Sequence, residues 1–176
     1  MHPLSFEVVW QQLPCCTRDA LQCLPFAELP TDGCIHLELH VDGSGHVDLP
    51  CFSVIVLWRD SHGRLHFGGR KTSRVITEPT HPEFIAASWS DSNAAELSGL
   101  TWAMLIALQV ACSSVETFYD SEFAAQTSQA VWSSVHDTKL AMLASGLFNM
   151  LDIAKPTTLS HEKGHSGAAY NELGSG

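Results

Sequence analysis

Positive charge is scarce in this sequence. The chain has 9 Lys and Arg against 19 Asp and Glu, a formal net charge of −10. That excludes a protein that coats nucleic acid by neutralising phosphates with Lys and Arg. Charge of either sign is also sparse, at 16% of residues against 45% hydrophobic, which excludes a disordered, self-repelling chain. Long apolar runs are missing. The longest, Trp102 to Leu108, ends at Gln109, far short of the ~18 residues that suggest a membrane span. No basic residue precedes Arg18, so a signal peptide is not expected, and an intracellular place in cytoplasm or nucleus is. No CxxC pair occurs among Cys15, Cys16, Cys23, Cys34, Cys51 and Cys112, so reduced, mostly buried thiols are expected rather than a zinc site.

What is present fits one domain in 176 residues. Residues 1–33, punctuated by Pro3, Pro14, Pro25 and Pro30, read as a leader or inter-domain segment, and 34–173 as the folded domain. Gly174-Ser175-Gly176 reads as a linker-like or truncated end. Ile35 to Val41 alternates apolar and polar residues, predicting a strand with one buried face, ended by Asp42-Gly43-Ser44-Gly45. Phe52 to Trp58 predicts a second strand, Asp60-Ser61-His62-Gly63 a turn, and Arg64 to Phe67 a short antiparallel third strand. Lys71 to Asp91 reads as irregular, with room for an extra strand near Glu83 to Ala87. Asn93 to Cys112 predicts a helix that is apolar nearly all round. Strands are expected at Val115–Tyr119 and Thr157–His161, and helices at Asp120–Trp132 and Lys139–Leu151. The order β-β-β-α-β-α-α-β predicts an α/β fold with a mixed sheet, three antiparallel strands and then parallel ones, flanked by helices.

Three acids fall at the junctions of these elements: Asp42 at the end of the first strand, Glu96 in the first turn of the long helix, and Asp120 after the next strand. Each has a local reading of its own. Asp42-Gly43 is a common turn dipeptide, Asn93 with Glu96 resembles a capping box, and Asp120 would cap the helix after it. A metal site explains all three together. Carboxylates gathered at one sheet edge repel unless cations lie between them, and two divalent ions clamped by shared carboxylates drive in-line phosphoryl displacement.

Val41-Asp42-Gly43-Ser44-Gly45, Asn93-Ala94-Ala95-Glu96-Leu97, Phe118-Tyr119-Asp120-Ser121, and Lys163-Gly164-His165-Ser166-Gly167 with Asn171-Glu172-Leu173 occur in that order. Together they resemble a type 1 ribonuclease H domain, most of all those carried by retroelement reverse-transcriptase polyproteins. The resemblance covers about residues 35–173 and implies a ribonuclease H-like fold with a five-stranded sheet. It also implies endonucleolytic hydrolysis of the RNA strand of an RNA–DNA hybrid, with two Mg²⁺ ions that Mn²⁺ can replace. Under it, Asp42, Glu96 and Asp120 are metal-binding and catalytic, and His165 assists proton transfer or product release. Gly43, Ser44, Asn93, Ser121, Gln126 and Asn171 contact substrate. Other domains of a polyprotein are implied partners, and no membrane is.

One departure stands out. The family's fourth metal carboxylate corresponds to Ser175, and the helix that usually follows has no counterpart in the sequence. A catalytically degenerate module with a structural or nucleic-acid-binding role is therefore the alternative. His36 and His40, evenly spaced on one strand, read as surface or half-buried rather than as ligands. Trp89 and Trp102 read as core. Arg59, Arg64, Arg70, Lys71 and Arg74 read equally well as a solvated face or as a phosphate-contacting strip.

Overall fold

The computed structural model describes residues 29–30, 33–44, 49–120 and 138–161. Five strands and two helices lie within them: β1 (His36–Ser44), β2 (Cys51–Arg59), β3 (Leu65–Arg74), α1 (Ser92–Gln109), β4 (Ser114–Tyr119), α2 (Thr138–Ala154) and β5 (Thr157–His161). The sheet runs β3-β2-β1-β4-β5. β1 pairs antiparallel with β2, and β2 with β3, whereas β1–β4 and β4–β5 are parallel. This is the mixed five-stranded sheet that the element order implied. The expected helix over Asp120–Trp132 lies, from Ser121 on, outside the described residues, as do residues 1–28.

Central placement changes the reading of β1. Leu37, Leu39 and Val41 are buried on one face, as the alternation requires, but Glu38, His40 and Asp42 on the other face are buried too. A strand between two neighbours can be covered on both faces, and its polar side chains must then find partners. Arg59 Nε donates to Glu38 Oε1 at 2.6 Å, and the His40 ring stacks on Phe118 with centroids 4.4 Å apart. His40 is thus buried rather than at the surface, while His36 is half-buried beside Ser114 Oγ at 2.6 Å.

Other boundaries also move. β3 continues to Arg74 because Phe52, Ser53 and Val54 keep pairing with Ser73, Thr72 and Lys71. Glu83 to Ala87 adds no strand. The segment is held instead by side chains: the Lys71 ammonium pairs with Glu83 and lies 4.6 Å from the centroid of Trp102, and burial pushes its pKa down. The β2–β3 turn forms where expected. Asp60 Oδ1 accepts from the backbone N–H of His62 and Arg64 at 2.9 and 3.0 Å, and Gly63 takes the positive φ of 78°. Among the described cysteines, Cys112 is buried, Cys34 exposed and Cys51 half-buried, and all three are free thiols; Cys15, Cys16 and Cys23 lie outside the described residues.

α1 is the core element. From Ala94 to Ala107 every residue except Glu96 is buried, against β1, β2, β4 and α2. Trp102 is fully enclosed, whereas Trp89 is 52% exposed and not core. Gly99 lets α1 approach the sheet closely, since a Cβ there would lie 2.8 Å from Val41 Cγ1 and 3.2 Å from Phe52 Cβ. By helix propensity alone, Gly99→Ala would stabilise by about 1 kcal/mol. Overpacking outweighs this, so a net loss of ~1–2 kcal/mol is expected in urea titration with an unchanged m value. A more stable variant would show that the contact has room to give. At the far end of α1, Lys155 Nζ donates to the carbonyls of Ala107 (3.2 Å) and Val110 (2.5 Å), placing a cation on the negative helix terminus.

Candidate active site

The helix bearing Glu96 starts earlier than its sequence suggests. Asp91 is the N-cap, accepting from Ala94 N–H at 2.7 Å. Glu96 is therefore in the second turn, and Asn93 is an exposed first-turn residue, so the two do not form a capping box. The turn reading of Asp42-Gly43 fails as well. β1 continues through both, with Asp42 opposite Ser53, Gly43 opposite Phe52 and Ser44 opposite Cys51.

Neither local reading therefore accounts for Asp42 or Glu96, and the helix that Asp120 would cap lies outside the described residues. His40 pairs with Phe118 in the parallel β1–β4 ladder. Asp42 stands two residues further along β1, and Asp120 follows directly on Tyr119, the last residue of β4. Glu96 joins them because α1 crosses directly over Gly43. A Cβ at position 43 would lie 2.4 Å from Glu96 Cγ and 2.9 Å from its backbone nitrogen. Only glycine fits there.

The electrostatics record the convergence. The Asp120 carboxyl is pushed up to about 7 by burial, then by the charges of Asp42 and Glu96, and by a side-chain hydrogen bond to Asp42. Asp42 is itself 5% exposed. The donor set is all hard oxygen, which suits Mg²⁺ or Mn²⁺ rather than zinc. Among the described residues, no group of three or more His, Cys, Asp and Glu side chains is arranged to hold a metal ion as it stands. The residues fit a divalent cation by chemistry and by mutual repulsion, which a cation between them would offset.

Of the expected substrate contacts, Gly43 and Ser44 lie on β1 beside the acids, and Asn93 is exposed at the start of α1. Ser121, Gln126, His165 and Asn171 lie outside the described residues, as does Ser175. The basic strip is largely spoken for within the chain. Arg59 pairs with Glu38, Lys71 with Glu83, and Arg74 with Glu78 at 3.6 Å. Two features escaped the sequence. The packing of Glu96 on Gly43 had no signal beyond the dipeptide. His161 stands opposite Tyr119 in the β4–β5 ladder, and its Nε2 is 3.1 Å from the Asp120 carbonyl oxygen. Pairing the two predicted parallel strands end to end would have found it.

No protein-family model matches the chain, and no curated protein matches it by sequence. Solved structures do match. Ribonuclease H1 from the halophilic archaeon Halobacterium salinarum is 17% identical, with a TM-score of 0.53 over 80% of this chain and 92% of that one. The N-terminal ribonuclease H domain of a Mycobacterium tuberculosis protein, determined as a fusion with maltose-binding protein, is 14% identical. Its TM-score is 0.51 over 80% of this chain and 88% of that one. At these identities the likeness establishes the ribonuclease H-like fold. Among the described residues, no helix is long and apolar enough to cross a membrane.

Proposed function

We propose that the chain is a ribonuclease H-type endonuclease that hydrolyses the RNA strand of RNA–DNA hybrids, from a retroelement-type polyprotein. One observation carries the reading. In a ribonuclease H-like fold, Asp42 on β1, Glu96 packed on Gly43 from α1, and Asp120 just past β4 converge, and burial with the charges of Asp42 and Glu96 pushes the Asp120 carboxyl up to about 7. Asp42, Glu96 and Asp120 would hold the divalent ions. Such ions polarise a scissile phosphate and lower the pKa of an attacking water. Asp42 would contribute from β1, Asp120 from just past the end of β4, and Glu96 from α1 where it packs on Gly43. Paired ions would offset the repulsion between this acidic cluster and a polyanionic substrate. The sequence resemblance gives His165 a role in proton transfer or product release. It gives Gly43, Ser44, Asn93, Ser121, Gln126 and Asn171 contacts to the hybrid, whose 2′-hydroxyls would mark the RNA strand.

Ser175 at the fourth carboxylate position favours a second reading, a degenerate domain that binds without cutting. Cleavage of a labelled RNA–DNA hybrid in Mg²⁺ or Mn²⁺, by the chain and by Asp120→Asn, decides between them. Activity lost in the variant supports the nuclease, equal activity in both sinks the assignment of Asp120, and activity in neither supports the degenerate module. Affinity gives a further expectation. With only 9 Lys and Arg, and Arg59, Lys71 and Arg74 already paired with carboxylates, hybrid binding should be weak and salt-sensitive. A filter-binding Kd below about 1 μM at physiological salt would contradict it.

A further inference from the structure

We propose that His161 is a positioning residue that fixes Asp120 for metal binding. The proposal rests on the site reading above and deepens it. β4 ends at Tyr119, so Asp120 lies just beyond the last ladder pair, Tyr119 with His161. A residue past a strand end lacks the ladder that holds its neighbours, and its carbonyl needs another donor. His161 supplies one. Its Nε2 is 3.1 Å from the Asp120 carbonyl oxygen, and because a carbonyl can only accept, Nε2 carries the hydrogen. The ring is steadied edge-on against Tyr119, with centroids 5.5 Å apart.

The bond matters because of the load on Asp120. Asp42 and Glu96 bear on the same carboxyl, and like charges drive the three apart when ionised. The main chain at residue 120 is where that repulsion could be relieved, by letting the end of β4 swing away. A hydrogen bond from the end of β5 to this carbonyl opposes the swing. It holds the backbone of Asp120 at the end of β5, and so keeps Asp120 beside Asp42. His161 is itself exposed, so replacing it leaves the core intact.

The test compares His161→Phe, which keeps a ring against Tyr119 without the donor, with His161→Gln, which restores an N–H of similar reach. Mn²⁺ binding is followed by calorimetry and by the electron paramagnetic resonance of free Mn²⁺, at one pH, with wild type and Asp120→Asn in parallel. Groups that orient a metal ligand typically contribute ~10–100-fold to affinity. His161→Phe should therefore bind Mn²⁺ about tenfold more weakly, and His161→Gln should recover most of that loss. If cleavage occurs, His161→Phe should need correspondingly more Mg²⁺ for half-maximal rate yet approach the wild-type kcat at saturation. Wild-type affinity in His161→Phe, or an equal loss in Phe and Gln, overturns the proposal. The reading beneath it fails separately. Mn²⁺ binding that depends on Asp120 and His161, without hybrid cleavage, would overturn the nuclease and uphold the positioning. Binding that ignores Asp120 would overturn both.

Discussion

Asp120→Asn should abolish hybrid cleavage and yet make the metal-free protein harder to unfold at pH 8. The two effects share one cause. In the folded chain Asp120 holds its proton up to about 7, against an ordinary 3.8. Between those values the folded state binds more protons than the unfolded one, so stability falls as pH rises from about 4 to about 7 and stays reduced above. A shift of that size would correspond to ~4 kcal/mol if fully expressed. Asp120 keeps partial access to water, and screening reduces the effect to ~1–2 kcal/mol. Asparagine removes the ionisation, and its amide N–H can donate to Asp42. For a chain of this length the thermal midpoint should rise by about 3–6 °C at pH 8 and little at pH 4.5. Mg²⁺ should stabilise the wild type at pH 8 and the variant much less, since binding to the folded state alone adds stability. Cleavage should drop at least ~10²–10³-fold, the scale seen when one preorganised electrostatic contact is lost. Scanning calorimetry with and without chelator, beside the cleavage assay, reads both. A variant less stable than wild type at pH 8 would mean that the three acids do not repel as described.

Gly43→Ala should be the most damaging single methyl in the described chain. The new Cβ would fall 2.4 Å from Glu96 Cγ, 2.9 Å from Glu96 N and 3.0 Å from its Cα. A side chain can turn aside, but the backbone of α1 cannot, because the helix is buried from Ala94 to Ala107 apart from Glu96. Either β1 or α1 must shift, at ~2–3 kcal/mol, near the upper end for overpacking. The shift also draws Glu96 away from Asp42 and Asp120, and a displacement of ~1 Å can cost on the order of 10²-fold in rate. Gly63→Ala makes an informative control. It forces a side chain onto a φ of +78° but meets nothing within 4 Å, in a turn at the other end of the β2 ladder. It should lose ~1–2 kcal/mol of stability and leave cleavage unchanged. Denaturant titration and hybrid cleavage of both variants separate a site effect from a general one. Full cleavage by Gly43→Ala would remove Glu96 from the catalytic set.

Much of this protein was determined by local sequence. Apolar periodicity and β-branched runs placed all five strands and both described helices, with β5 correct to the residue, because burial selects residue type at a fixed spacing. The Asp60–Gly63 turn followed from side chains that satisfy their own backbone. The sequence picked out Asp42, Glu96 and Asp120 by placing them at element junctions, a placement the structure changes for two of them: Asp42 lies within β1 and Glu96 in the second turn of α1. Contacts between distant residues were left to the tertiary structure. Whether Asp42-Gly43 turned or continued depended on Ser53 and Phe52 pairing across from it. That β1 buries both faces depended on its lying between β2 and β4, which no alternation can express. The same central position converted Arg59 from a surface cation into the partner of a buried Glu38. Glu96 reached the other acids only because Gly43 and α1 nearly touch, and Asp120 met His161 only because β4 and β5 end together. Sequence set which groups could ionise. Tertiary packing set how near they stand and how far they are from water, and those two quantities decide what a carboxylate does.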